Sequence, residues 1–526
     1  MKVLISDNLG DVGVKIFQEE DGIEVDVKTG LAPEELKKII GNYDGLAIRS
    51  ATNVTEDLLE AATNLKVVGR AGIGLDNVDI PAATKHGVAV MNTPGGNTVT
   101  TAEHAIAMIM ALTRNIPMGT ASLKDGRWDK KKLQGREIFN KTLGVIGYGN
   151  IGSIVADRAR GLKMNVIIFD PNVAPEQIDK AGFKGVTLEE LYKRSDYITI
   201  HVPKIKQTTN LLNKDAFNQM KDGVMIVNCA RGGIINEEDL ADALKSGKVA
   251  GAALDVFATE PPGKSPLFDF DNVIATPHLG ASTLEAQTNV AVAVANQIIQ
   301  YLKYDTVINA VNVPSVTGDL LIKLEPFLTL SDRIGCMQAQ LAKGHLKEIT
   351  IEYTGDFLNL DLAPVTTAAV KGILTPLVKY NVNSVNALSL AREMGIKVTE
   401  TKSDESWNFT NKITMKLITS ESENIVAGTI FGKNDPRIVR INNFRLEVIP
   451  KGHLALIHNV DKPGSIGSIG ATLGTYNINI ERMTVGREDD GERNIIFLKT
   501  DAPITDDIAK IMCDLPLVNT VTTLEL

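Results

Sequence analysis

At 526 residues the chain is too long for one hydrophobic core, and roughly three or four domains are expected. Hydrophobic residues at 44%, charged at 23% and aromatic at 5% exclude a disordered, fibrous or disulfide-knit chain. With 55 basic against 64 acidic residues, a net charge of −9, there is no electrostatic footprint for nucleic acid or an anionic membrane surface, so neither partner is expected.

Three cysteines, Cys229, Cys336 and Cys513, stand far apart without a CxxC pair. They predict neither a disulfide framework nor a cysteine zinc site, and a cytoplasmic location is expected. No other cluster of metal ligands stands out. The start, MKVLISDNLG, lacks the apolar stretch of a secretory signal, and the segment 286–302 is interrupted by Gln287, Asn289, Asn296 and Gln297, so no membrane span is expected.

Residues 1–98 alternate short apolar runs (KVLISD, IEVDVKTG, GLAIRSA, LKVVGRAG, GVAVMNTPG) with helical patterns such as PEELKKII and TEDLLEAATN, which predicts a parallel sheet with covering helices. A second βα series starts near Thr142 (KTLGVIGYGNIG, MNVIIFDP, DYITIHVP, GVMIVNCARGG, VAGAALDVF, NVIATPHLG) and runs to about residue 282. The segment 283–302 has helical apolar spacing and is expected to pack back on the first sheet. The expected domains are therefore 1–98 plus 283–312, then 99–282, 313–449 and 450–526. The third reads as mixed, from runs such as KEITIEYTG, KITMKLITS and FRLEVIPKG. The fourth reads βαββαβ, the ferredoxin-like order.

Gly147, Gly149 and Gly152 form a GxGxxG run between the strand LGVIG and a helical pattern in which Ile151, Ile154, Val155, Ala159 and Leu162 share one face. The next strand, NVIIF, ends in Asp170. The first two glycines allow a tight turn and close backbone approach to a pyrophosphate, whose charge meets the helix start. A carboxylate at 170 accepts from ribose hydroxyls and repels a 2′-phosphate, so NAD is expected rather than NADP. His201 ends a strand beside Val202 and Pro203, where the chain is expected to border the cofactor.

A carbonyl accepting hydride needs a proton and a group to hold its charge. His278 in TPHLGAST, Arg231 in NCARGG and Glu260 in ATEPP each follow a strand of the second series, so parallel topology gathers them at one sheet edge. In that set Glu260 orients His278, His278 passes the proton, and Arg231 clamps an α-carboxylate and polarises the adjacent carbonyl. His104, within the apolar pattern AEHAIAMIMAL, draws no role.

Together GYGNIG with Asp170, NCARGG, LDVF, TEPP and TPHLGAST resemble the D-isomer-specific 2-hydroxyacid dehydrogenases, and over the whole chain the plan is similar to their long form. The resemblance implies an α/β fold: two doubly wound parallel-sheet domains, a flavodoxin-like substrate domain and a Rossmann-like NAD domain, followed by a mixed α+β intervening domain and a ferredoxin-like ACT domain. It implies catalytic roles for Arg231, Glu260 and His278. Cofactor contacts carried over are Asn150, Ile151, Asp170, Cys229, Ala230, Arg231, Asp255, His278 and Gly280, with Val202 bordering them. The loops IRSAT, GRAGIGLDNVD and NTPGGN imply Arg49, Ser50, Arg70 and Asn97 as substrate contacts.

The implied reaction is NAD-dependent oxidation of 3-phospho-D-glycerate to 3-phosphohydroxypyruvate, the first step of L-serine biosynthesis, by a homo-oligomer (dimer or tetramer). HNVDKPGSIG and NINI imply Asn459, Asp461 and Asn479 as L-serine contacts, with the Gly464 N–H at a helix start. Two positions depart from the family pattern: Asn150 stands where many relatives have Arg, and Ile73 replaces a Thr. A glyoxylate or hydroxypyruvate reductase is disfavoured by Arg49 and the C-terminal modules. A nucleotide-sensing corepressor is disfavoured by HNVDKPG.

Overall fold

The computed structural model describes residues 1–304, 306–314, 319–403, 409–487 and 493–526. The first sheet contains β1 (Lys2–Ile5), β2 (Glu24–Val27), β3 (Gly45–Ile48), β4 (Val67–Arg70) and β5 (Ala89–Met91), all parallel in the order β2-β1-β3-β4-β5. Its central strands β1, β3 and β4 are largely apolar runs because both faces are buried, whereas the edge strand β2 alternates Glu24 and Asp26 with valines and is partly exposed. Val3, Ile5, Val67 and Met91 serve one core, and Leu4, Leu46, Val68 and Val90 the other.

The helix Leu284–Tyr304, far along the chain, completes the first of these cores with Val290, Val294 and Ile298. Gly69 permits its close approach: a Cβ there would lie 2.6 Å from Val294 Cγ2 and 2.7 Å from Ile298 Cδ1. Beyond the helix, Ala310 bridges Met91 antiparallel, and Asn312 accepts from Val90 N at 2.8 Å and donates to Val88 O at 2.9 Å. This strap covers the open edge of β5.

The second sheet holds β6 (Thr142–Ile146), β7 (Asn165–Phe169), β8 (Lys184–Gly185), β9 (Tyr197–Ile200), β10 (Val224–Asn228), β11 (Val249–Leu254) and β12 (Val273–Ala275). All are parallel, in the order β12-β11-β10-β9-β6-β7-β8. The direction of winding reverses between β6 and β9, which opens the crevice where such sheets bind ligands. The helix Asn150–Gly161 buries Val155 and Ala159 as its spacing predicts, but Leu162 caps the helix and is 38% exposed. The chain turns there, so the fifth apolar position never reaches the sheet.

The C-terminal strands are β13 (Leu346–Gly355), β14 (Lys397–Ser403), β15 (Asn411–Thr419), β16 (Glu423–Phe431), β17 (Asp435–Ile441), β18 (Phe444–Val448), β19 (His453–Val460), β20 (Ile480–Arg487), β21 (Arg493–Thr500) and β22 (Val518–Glu525). The last four run in the order β20-β21-β19-β22, the ferredoxin-like arrangement. The strands of 313–449 and of 450–526 lie on one ten-stranded sheet, joined by a backbone pairing of Arg445 with Arg487. The edges of β18 and β20 cover each other, and a shared core runs from Leu330 and Ile334 to Leu456 and Phe497. No helix among the described residues is long and apolar enough to cross a membrane.

Candidate active site

The glycine loop closes β6. Gly147 adopts φ +100°, in the left-handed region, and donates to Phe169 O at 2.8 Å. A Cβ on Gly152 would lie 2.0 Å from Gly147 O, so backbone touches backbone and no side chain fits. The helix that follows begins at Asn150 without a side-chain cap, which leaves its first N–H groups to a ligand. Asn150 itself is exposed, and Ile151 is half-buried against the sheet. Asp170, at the end of β7, accepts from Tyr148 N at 2.7 Å and from Asn172 N at 2.8 Å, which ties the carboxylate to the glycine loop. The residues present fit a dinucleotide.

Val202 underlies the loop, with Cγ1 2.9 Å from where a Gly147 Cβ would sit. The adjacent His201 bonds Thr199 Oγ1 through Nε2 at 2.9 Å, and its Nδ1 is enclosed without a partner. Burial pushes this imidazole down to about 4, so it is neutral at neutral pH.

The loops after β10, β11 and β12 form one hydrogen-bonded unit. Asn228 donates to Arg231 O at 2.9 Å, accepts from Ala230 N at 3.0 Å, and takes Asp255 N on its carbonyl at 2.9 Å. Gly232 abuts the Phe257 carbonyl, and Phe257 N donates to Glu260 Oε1 at 3.1 Å. The other Glu260 oxygen, Oε2, lies 2.7 Å from His278 Nδ1. Parallel topology thus brings the loops carrying Arg231, Glu260 and His278 to one edge, as the sequence predicts. The imidazole is half exposed and its Nδ1 is engaged by the carboxylate. Cys229 is buried, and burial, followed by the nearby Asp255, raises its thiol well above the ordinary value.

Asp255 is fully buried beneath this edge. Oδ1 accepts from Thr276 Oγ1 at 2.6 Å and Leu279 N at 2.7 Å, and Oδ2 accepts from Gly280 N at 2.8 Å. Burial alone would raise its carboxyl, but hydrogen bonds from His104, Thr276, Leu279 and Gly280 outweigh it and leave the group below the usual carboxylate range. The carboxylate holds the His278 loop together from inside the protein.

Facing this edge is the first domain. Asp7, absent from the sequence expectations, is buried and accepts from Arg49 N at 2.6 Å, Ala51 N at 3.2 Å, Thr52 N at 3.1 Å and Thr52 Oγ1 at 2.7 Å. It shapes the loop that carries Arg49 and the exposed Ser50. Arg70 donates to Arg49 O at 3.1 Å and Asn77 Oδ1 at 3.0 Å. Burial first, then Arg231 and Arg49, lower its pKa, with Asp76 and Asp7 opposing. Arg70 thus lies close enough to both Arg49 and Arg231 for their charges to oppose its own. Asn97 caps the helix Thr98–Thr113, and its Oδ1 is buried without a partner.

The expected effector residues are not brought together within one chain. Asn459 is buried, donates to Ser465 Oγ at 2.8 Å, and lies level with Asn494 and Arg487 along the sheet. Asn479 is exposed and precedes Ile480, which is level with Thr500 and His453 at the opposite end. Asp461 and Gly464 flank the Asn459 end, where Gly464 takes φ +98° before the helix Ser465–Thr475. Among the described residues no group of three or more His, Cys, Asp or Glu is arranged to hold a metal ion.

Residues 106–280 match the family model for the D-isomer specific 2-hydroxyacid dehydrogenase NAD binding domain, 323–442 that for the D-3-phosphoglycerate dehydrogenase intervening domain, and 453–517 that for the ACT domain. The chain is 43% identical over 506 residues to the D-3-phosphoglycerate dehydrogenase of Synechocystis, covering 96% of this chain and 91% of the relative. The Bacillus subtilis protein of the same name is 43% identical over 515 residues, 98% of each chain. That of Methanocaldococcus jannaschii is 39% identical over 527 residues, 100% of each.

Among solved structures, a formate dehydrogenase from Staphylococcus aureus in complex with NAD superimposes with a TM-score of 0.54 at 31% identity, covering 60% of this chain and 100% of that one. The apo D-lactate dehydrogenase of Escherichia coli gives a TM-score of 0.53 at 30% identity, covering 59% and 100%. The chain belongs to the D-3-phosphoglycerate dehydrogenase family, within the NAD-dependent D-isomer-specific 2-hydroxyacid dehydrogenases.

Proposed function

We propose that the chain oxidises 3-phospho-D-glycerate to 3-phosphohydroxypyruvate in the cytoplasm, as the entry to L-serine synthesis. The observation that carries the substrate assignment is the guanidinium of Arg70, which lies at the cleft where the charges of Arg231 and Arg49 both repel it. The substrate brings one carboxylate charge and nearly two phosphate charges at neutral pH, which offset that repulsion.

In this reading residues 1–98 with 283–312 bind substrate, 99–282 bind NAD, 313–449 intervene and 450–526 form the ACT unit. Gly147, Gly149, Asn150, Ile151 and Gly152 would meet the pyrophosphate, Asp170 the ribose, and Val202, Cys229, Ala230 and Gly280 would line the nicotinamide side, with the buried Asp255 holding Gly280 from beneath. Bound there, NAD would supply the acceptor for the hydride of C2. His278 accepts the proton of the C2 hydroxyl on Nε2, because Glu260 occupies Nδ1 and stabilises the imidazolium that results. Arg231 holds the carboxylate and polarises the C2 oxygen. Arg49, Ser50, Arg70 and Asn97 hold the phosphate end. In the reverse direction the same groups run backwards.

We also infer a homo-oligomer that binds L-serine between chains, with Asp461 and Asn459 from one and Asn479 from another, since these residues lie at opposite ends of the sheet.

A panel of 2-oxo acids with NADH tests the substrate assignment. Phosphohydroxypyruvate should exceed hydroxypyruvate and glyoxylate in kcat/KM by roughly 10-fold or more, the worth of one charge-assisted hydrogen bond. Equal or higher kcat/KM for the uncharged-tail acids rejects the phosphate contact.

A further inference from the structure

His104 lies in the helix Thr98–Thr113, where its spacing alone suggests nothing but core packing. Its Nε2 is 3.2 Å from Asp255 Oδ1 and 3.2 Å from Thr276 Oγ1. The Thr276 hydroxyl already donates to Asp255 Oδ1 at 2.6 Å, so its lone pairs face His104. The cluster is satisfied when Nε2 of His104 carries the proton and donates to both oxygens.

The clamped groups hold the loop that carries His278. The Asp255 carboxylate takes the N–H groups of Leu279 and Gly280, and its carbonyl takes His278 N at 3.0 Å. His278 itself adopts φ +54°, a left-handed conformation that a residue with a Cβ keeps only where its surroundings over-determine it. Among the described residues, Thr276 and the two amides belong to the loop itself, and His104 is the partner of the Asp255 carboxylate that another element supplies.

We propose that His104 is a positioning residue for proton transfer: by clamping Asp255 and Thr276 it fixes the 276–280 loop, and so the angle at which His278 meets Glu260 and the substrate. The inference rests on His278 as the proton carrier. A loop shift on the order of 1 Å is enough to cost about 100-fold in rate, so the loss falls on kcat. The glycine loop, which the clamp does not touch, keeps its hold on the dinucleotide.

The test uses the full-length protein with NADH and phosphohydroxypyruvate, measuring kcat and KM in turnover and NADH Kd by fluorescence. His104→Ala should lower kcat by about 10–100-fold with NADH Kd within about threefold of the parent. His104→Gln, whose side-chain amide reaches the place of Nε2, should recover kcat to within about threefold of the parent. Unchanged kcat in His104→Ala, a loss confined to NADH Kd, or a Gln variant as impaired as Ala each overturn the proposal. Should His104→Ala fail to fold, Thr276→Val keeps the shape and removes the shared hydroxyl; the same kcat loss supports the clamp and unaltered kcat refutes it. His278→Gln separates the two assignments. If it is active, the proton carrier is misassigned; if it is dead while His104→Ala is unimpaired, only the positioning role fails.

Discussion

Arg231 donates from Nε to Asp76 Oδ2 at 3.1 Å, so the guanidinium assigned to the substrate carboxylate is held by the opposite domain. Its Nη2 lies 2.1 Å from where a Gly74 Cβ would sit, so this hold requires glycine at 74. Asp76 also offsets the repulsion between Arg231 and Arg70. The pair is partly exposed, which limits its worth to about 0.2–1 kcal/mol. Asp76→Ala should therefore raise KM for phosphohydroxypyruvate about 2–5-fold and leave NADH Kd unchanged. A lower KM would mean that Asp76 competes with the substrate for Arg231.

Asp170 ties down the glycine loop through Tyr148 N, and the proposed function sets the same carboxylate against the ribose. Asp170→Ala should weaken NADH binding and narrow the preference for NADH over NADPH, because the charge that repels a 2′-phosphate is gone. The ratio of the two Kd values, by fluorescence titration, is the readout. An unchanged ratio counts against the ribose contact.

His201 gives the protein a defined acid weakness. The folded state keeps this imidazole neutral to about pH 4, whereas the unfolded chain protonates near 6.5. Between those values the unfolded state binds more protons, so stability is intact above 6.5 and falls as pH drops toward 4, by at most about 3 kcal/mol. At pH 5 the deficit is about 2 kcal/mol, equivalent to roughly 4–8 °C in the melting of a domain this size. His201→Gln should lose correspondingly less melting temperature than the parent between pH 7 and pH 5. Equal losses would show that His201 does not set the slope.

Effector binding across chains has a complementation signature. Asp461→Ala and Asn479→Ala, assayed separately, should each be insensitive to L-serine. Co-expressed, they should form mixed oligomers in which one intact pairing of Asp461 with Asn479 survives, and partial inhibition should return. No serine effect on the parent protein removes the feedback reading, and no recovery in the mixture removes the shared site.

The parts of this site that the sequence displays are those carried by contiguous residues. GYGNIG, Asp170 and the strands around them announce a dinucleotide loop because turn, helix start and acid all lie within one βαβ unit. Arg231, Glu260 and His278 are readable as a set because each follows a strand of one parallel sheet, so topology converts sequence order into proximity. Asp7, Asp76, Asn228 and His104 are not readable: each acts through a partner distant in sequence or through backbone amides that no motif marks. The joining of β18 to β20 was hidden for the same reason, since edge pairing leaves no periodicity in either strand. Leu162 shows the opposite failure, a spacing that persists one residue past the point where the helix ends.

Turnover and NADH binding in His278→Gln, which keeps an amide near the Glu260 carboxylate but cannot carry the proton, test the proton transfer directly. With His278 as the proton carrier, kcat should fall by about 10²–10⁴-fold while NADH Kd stays essentially that of the parent. Turnover within a few-fold of the parent would contradict that role.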